Sequence, residues 1–172
     1  MGALRAAECS PFGMVGIGEV FRRYARGELM DDADVAQIHG PAELEYLPLS
    51  EPWVNIEPTL QKMTSAGVID LVEFELLHAA ARRLHYKQRT YRRLLESLNP
   101  ITSERSAQIL RWVAANAVDQ KRIDGIELMD WLIAQGSRQE VACDWMFSET
   151  SQWRSLLTEL GLVDRHPFEE QL

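Results

Sequence analysis

His39 is the side chain best placed, by type and position, to move a proton. The run Val35-Ala36-Gln37-Ile38 reads as a short strand ending at His39-Gly40-Pro41. In open α/β sheets, ligands collect outside the carboxyl ends of strands. A histidine there can act as a general base near neutral pH; the plain alternative is a histidine that holds a loop by hydrogen bonds. Just upstream, Asp31, Asp32 and Asp34 offer hard oxygen donors of the kind calcium takes. The spacing of a calcium loop is incomplete and no acid closes it, so turns and caps are the better reading, and no metal or other cofactor is expected. Gly13, Gly16 and Gly18 precede a helix start, where free N–H groups favour an anion. They lack the G-x-G-x-x-G order and follow no clear strand, and close helix packing explains them as well. Nothing near Cys9 would activate a thiol, which makes it a small buried side chain.

Two basic clusters stand out in an acidic chain. The first runs from Arg82 to Arg93. On a continuous helix Leu76, Ala80, Leu84, Tyr91 and Leu94 form one apolar stripe, and Arg83 and Lys87 fall inside it. Burying both costs several kcal/mol unless an anion meets them. The pair is therefore expected to face inward onto an anionic group, either a substrate or acids such as Asp119. The second cluster is Asp119, Lys121, Arg122 and Asp124 at a helix start, where acids are simply stabilising.

The elements that must position these groups are mostly helical. Ala3–Glu8 opens as a helix, and Ser10-Pro11 turns the chain. Ile17, Val20, Phe21 and Tyr24 then recur on one helix face, which Gly27 ends. Ser50 is a plausible cap for a helix carrying Trp53, Ile56, Leu60 and Met63, with Pro58 expected to kink it or delay its start. Asp70-Leu71-Val72-Glu73 has capping-box form and predicts a helix to about Leu98, stopped by Asn99-Pro100. Thr102-Ser103 starts the next helix, through about Ala117. Another follows Asp119, with Ile126, Met129, Leu132 and Ile133 on one face, to Gly136. A last helix carries Trp153, Leu156, Leu157 and Leu160 to Gly161. The expected class is mostly α-helical with at most a short strand near 35–39. It is read as the helix-rich, C-terminal part of an α/β protein.

At 172 residues the length suits one domain, here 1–172, with a motif-bearing part over 1–98 and a helical part over 99–172. A net charge of −8 argues against a general nucleic-acid or anionic-membrane surface. The two cysteines, Cys9 and Cys143, form no CxxC pair, which fits a reducing compartment. No signal-peptide pattern and no bilayer-length apolar run is present. A cytoplasmic protein is the expectation.

Several stretches together resemble the TfuA-like family. They are Met1–Glu8, Phe12–Gly18, Asp31–Asp34 and His39–Glu43, followed by Pro48–Ser50, Val54–Ile56, Tyr86–Thr90 and Val118–Arg122. Family members usually carry several dozen residues upstream, including Ser-Ser before the methionine, so an N-terminal truncation is expected. The resemblance implies work beside a YcaO-type enzyme in installing backbone thioamides. It implies sulfide release by hydrolysis of the thiocarboxylate of a ubiquitin-like sulfur carrier, or else a non-catalytic partner that docks on and activates the YcaO enzyme. In that reading His39 is the general base, with Glu43 or Asp32 orienting. Arg5, Arg83 and Lys87 hold the anion, and the motif match adds Lys121 and Arg122 to the same group. Catalytic His39, Glu43 and Asp32 are thus one expected set, and Arg5, Arg83, Lys87, Lys121 and Arg122 the other.

Overall fold

The computed structural model describes residues 2–135 and 150–162. By its internal packing the chain divides into two compact units, Met1–Gln139 and Glu140–Leu172. In the first, helices run in the order α1 (Gly2–Cys9), α2 (Glu19–Ala25), α3 (Trp53–Ser65), α4 (Leu71–Arg83), α5 (Tyr91–Leu95), α6 (Ser103–Asn116) and α7 (Gln120–Gln135). In the second, α8 (Ser151–Glu159) is described. Thr150 caps α8 by accepting from the Trp153 N–H at 3.1 Å, and Gly161 follows it with φ of 65°.

The fold is mostly helical, and the first unit is organised around α3. Most of this helix's first two turns is buried, while Gln61, Lys62 and Ser65 toward its end face water. Trp53, Val54, Ile56, Leu60 and Met63 sit in the core with Val20 and Tyr24 of α2, Leu77, Ala80 and Ala81 of α4, Leu94 and Leu95 of α5, and Ile109 and Val113 of α6. Each such large apolar side chain contributes about 1.5–3 kcal/mol by leaving water. Two polar residues, Asn55 and Thr59, share this burial and are one helical turn apart. Their partners define the site described below. Pro58 lies inside α3 without delaying its start, which falls directly after Pro52.

Three expectations change. The strand at 35–38 is reduced to an isolated antiparallel bridge between His39 and Pro48. Val35 closes a 3-10 turn over Asp32–Asp34, and a second turn at Ala42–Leu44 follows the bridge at once. Pro48 also has no N–H to extend a ladder. Ser50 does not cap α3; its hydroxyl accepts from the Ile38 N–H at 2.9 Å and ties down the loop that carries His39. The helix begun by the Asp70–Glu73 capping box ends at Arg83 rather than near Leu98.

That last break has a clear cause. Leu84 turns extended, and the Arg89 guanidinium reaches back into the core, where Nε donates to the carbonyls of Ala81 and Leu84 at 3.1 Å. Those carbonyls would otherwise bond to N–H groups of a continuing helix. Thr90 then caps α5, accepting from the Arg93 N–H at 3.3 Å. The continuous apolar stripe that carried Arg83 and Lys87 inward does not form, and both are exposed. The apolar face of α7 also differs from a core face: Ile126, Met129, Leu132 and Ile133 are all exposed. Gly136, Cys143 and the last ten residues lie outside the described residues.

Candidate functional site

The start of α7 meets the start of α3, and buried amides force charged groups together there. Asn55 is buried, so both ends of its amide need partners. Its Nδ2 donates to Asp119 Oδ1 at 3.1 Å, and its Oδ1 accepts from the Lys121 N–H at 3.3 Å. Asp119 also accepts from the Arg122 N–H at 3.1 Å, the bond of a helix cap. One turn along α3, the Thr59 hydroxyl donates to the Asn55 carbonyl at 2.7 Å and accepts from the Val118 N–H at 2.9 Å. These bonds clamp the first turn of α7 to α3 and aim its side chains.

Lys121 and Glu51 are the groups this clamp leaves in tension. Lys121 Nζ donates to the Val35 carbonyl and to Gln37 Oε1, each at 3.3 Å, in a half-buried position. Burial pushes its pKa below the ordinary 10.5, opposed by the charges of Asp119 and Glu51. Glu51 is held by its own backbone, whose N–H donates to the Arg89 carbonyl at 2.7 Å. Burial raises its carboxyl above the ordinary 4.5, Asp119 raises it further, and Lys121 opposes. Tyr91 is partly buried with its hydroxyl enclosed near Thr59, and desolvation pushes that hydroxyl well above the usual phenol range, with Glu51 adding to the rise. A carboxyl made a better proton holder and an ammonium made a better proton donor, near enough for each charge to act on the other, are the ingredients of acid–base chemistry on a bound anion.

Of the residues expected from sequence, the structure brings one into this cluster. Lys121 belongs to it by side chain, and Arg122 only by its backbone N–H, its side chain being exposed. His39 is exposed at the bridge, on the loop that joins Gln37 to Ser50, so it flanks the cluster along the chain. Glu43 is exposed in the turn beyond it. Asp32 is part of a capped turn: Asp31 accepts from the Ala33 N–H at 2.8 Å, and Asp34 is buried against Arg82 at 2.6 Å. One carboxylate oxygen of Asp32 is buried without a hydrogen bond. Arg5 is paired with Glu8 on the open side of α1. Arg83 and Lys87 lie outside the cluster, exposed at the last residue of α4 and on the turn that follows it. Among the described residues no three His, Cys, Asp or Glu side chains are grouped to hold a metal ion.

The glycine-spaced stretch does receive an anion, but the anion is the protein's own. The N–H groups of Glu19 and Val20, at the start of α2, donate to the two oxygens of Asp124 at 3.0 and 2.7 Å. Gly18 lies against that carboxylate with φ of 94°, and a Cβ there would come within 2.6 Å of it. Asn55, Glu51 and Tyr91 were missed by sequence reasoning. The available signal was Asn55 and Thr59, one helical turn apart among Trp53, Val54, Ile56 and Leu60, since polar groups on an apolar helix face need partners.

Fold and site together define a helical protein with a half-buried acid–base cluster, at which Pro48–Ser50, Val54–Ile56, Tyr86–Thr90 and Val118–Arg122 meet. A family model described as TfuA-like protein matches residues 1–90, more than half of the 172-residue chain. The chain belongs to the TfuA-like family. No curated protein matches it.

Proposed function

We propose that this protein works beside a YcaO-type enzyme in peptide backbone thioamidation, as a hydrolase that releases sulfide from the thiocarboxylate of a ubiquitin-like sulfur carrier. Family membership supports the setting. The observation that carries the chemistry is the Glu51–Asp119–Lys121 cluster. In the reaction, water adds to the acyl carbon, the carbon–sulfur bond breaks, and the products are a carboxylate and hydrogen sulfide. Glu51 takes the proton from the attacking water, a role suited to a carboxyl held more basic than usual. Lys121 is the counter-charge for the anionic tetrahedral intermediate and gives a proton to the leaving sulfide. His39, on the adjoining loop, is the alternative base, and Glu43 and Asp32 flank it.

The test is sulfide release from a thiocarboxylated carrier. Glu51→Gln should lower turnover by about two to four orders of magnitude with the fold intact, whereas His39→Gln should leave turnover within about threefold. The reverse result moves the base to His39. Full activity in both variants removes hydrolysis from this site.

A second reading, a non-catalytic protein that docks on the YcaO enzyme and activates it, draws support from α7. Ile126, Met129, Leu132 and Ile133 expose an apolar face of the kind that protein partners cover.

A further inference from the structure

The twenty residues from Leu76 to Leu95 contain no acid, in a chain of net charge −8. They hold Arg82, Arg83, Lys87, Arg89, Arg92 and Arg93, six of the eighteen lysines and arginines. The structure divides these six by use. Arg89 is buried, and besides the carbonyls of Ala81 and Leu84 its Nη1 donates to the Ala33 carbonyl at 2.7 Å. Arg82 pairs with Asp34 at 2.6 Å and lies over the Trp53 ring at 5.0 Å. Arg83, Lys87, Arg92 and Arg93 are exposed, and none of the four has an ion pair among the described residues.

Exposed arginines elsewhere are of two kinds: Arg111 and Arg122 also have no ion pair among the described residues, whereas those of α2 do. On α2, Arg22 is paired with Glu19 and Glu127, and Arg26 with Glu19 and Glu28. What sets Arg83, Lys87, Arg92 and Arg93 apart is that four such cations fall close together in an acid-free stretch, at the end of α4, on the turn after it and in α5. They are also held in place. Arg89 locks the end of α4 to the turn, the His85 ring accepts from the Lys87 N–H at 3.3 Å, and Thr90 caps α5. A basic surface on a backbone fixed at three points loses little further freedom on binding.

We infer that this turn and the helix ends that flank it, displaying Arg83, Lys87, Arg92 and Arg93, are a docking surface for an exposed acidic segment of a partner protein. Three of the four are arginines, whose planar fork takes carboxylates two oxygens at a time. A nucleic acid fits less well: its phosphate row extends past a four-residue patch into the field of a strongly acidic chain, which repels it. A short carboxylate-rich segment feels mainly the local field. The inference stands apart from the hydrolysis reading, because it requires association and no chemistry.

The test uses a fluorescently labelled peptide of alternating glutamate and serine, with its glutamine counterpart as control. The full chain should bind the acidic peptide, weakening by roughly tenfold or more when salt rises from about 50 to about 200 mM. The quadruple variant Arg83→Gln, Lys87→Gln, Arg92→Gln and Arg93→Gln should lose binding at least tenfold. A control with Arg22→Gln and Arg26→Gln, which removes two paired arginines of α2, should bind within about twofold of the parent. Circular dichroism and Tm check that both variants fold, and if the quadruple one does not, the pairs Arg83/Lys87 and Arg92/Arg93 are replaced separately. No binding of the acidic peptide, or equal loss in the α2 control, overturns the inference. So does tighter binding, through the same four residues, of a single-stranded RNA or of phosphatidylserine vesicles.

Discussion

Asp119 and Asp124 stand little more than a turn apart near the start of α7, and their surroundings are opposite. Asp124 is satisfied: two backbone N–H groups of α2 and the Gln120 amide, at 2.7 Å, all donate to it. Asp119 is satisfied in hydrogen bonds, yet it faces Glu51, a second acid that it pushes toward the protonated form. The first arrangement is what a structural charge looks like. The second sets two carboxyls against each other and partly desolvates the lysine that offsets them, which folding alone gives no reason to assemble. Arg89 belongs with Asp124: it is buried, desolvation lowers its pKa, and three carbonyls plus the nearby Asp34 hold its charge. Removing a satisfied charge should cost stability, and removing a conflicted one should cost function.

The largest stability effect should come from Arg89. Arg89→Met leaves the carbonyls of Ala81, Leu84 and Ala33 without their donor inside the protein, at a cost of about 3 kcal/mol or more. Urea unfolding measures it. A loss below about 1 kcal/mol would mean that water reaches those carbonyls and that the turn between α4 and α5 is not locked from within.

Asp124→Ala comes next. It frees the Glu19 and Val20 N–H groups at the start of α2, a cap loss worth about 2 kcal/mol. Sulfide release by the folded fraction should survive. If turnover falls with stability unchanged, Asp124 belongs with the conflicted group and the contrast between the two aspartates collapses.

How far the sequence foretold this division varied by residue. The Asp70–Glu73 capping box and the Thr102 cap could be read directly, because each is a local bond between neighbours in the chain. The break after Arg83 could not. It depends on Arg89 finding carbonyls of α4 and of Ala33, and residue type alone does not say which cation of a basic run turns inward. The same applies to the glycine stretch, where the anion was foreseeable and its identity, Asp124, was more than a hundred residues away. Lys121 was singled out through its motif. Glu51 looked like an ordinary loop acid until Asp119 was brought beside it.

Glu51→Gln should have a smaller and oppositely signed effect on stability. A folded-state pKa raised above the unfolded value gives stability that is complete below about 4.5 and is lost as pH rises through the folded value. Glutamine has no such loss. The variant should therefore melt slightly higher than the parent at neutral pH, by a few degrees at most, and the difference should vanish below the ordinary carboxyl pKa. Lys121→Met should show the mirror pattern, with its gain at neutral pH fading as pH climbs past 10.5, because a depressed lysine pKa withholds stability below that point. Parallel melting curves at every pH would show that neither charge is in conflict, and the contrast with Asp124 would then have no energetic content.

The smallest effect should be at Arg5, which the family resemblance placed with the anion-holding residues. Its guanidinium pairs with Glu8 three residues along α1, and about half of each side chain remains in water. At such exposure solvent screens the attraction and the two side chains give up rotamer freedom to meet. Arg5→Ala should cost about 0.3 kcal/mol, within the range of helix-surface pairs, and the cost should fade in high salt. Turnover should not change, since the pair lies on α1, which packs on α2, while the cluster lies where α3 meets α7. A clear fall in sulfide release from Arg5→Ala, with stability intact, would place α1 at the site. The acid–base cluster would then be only part of the catalytic surface.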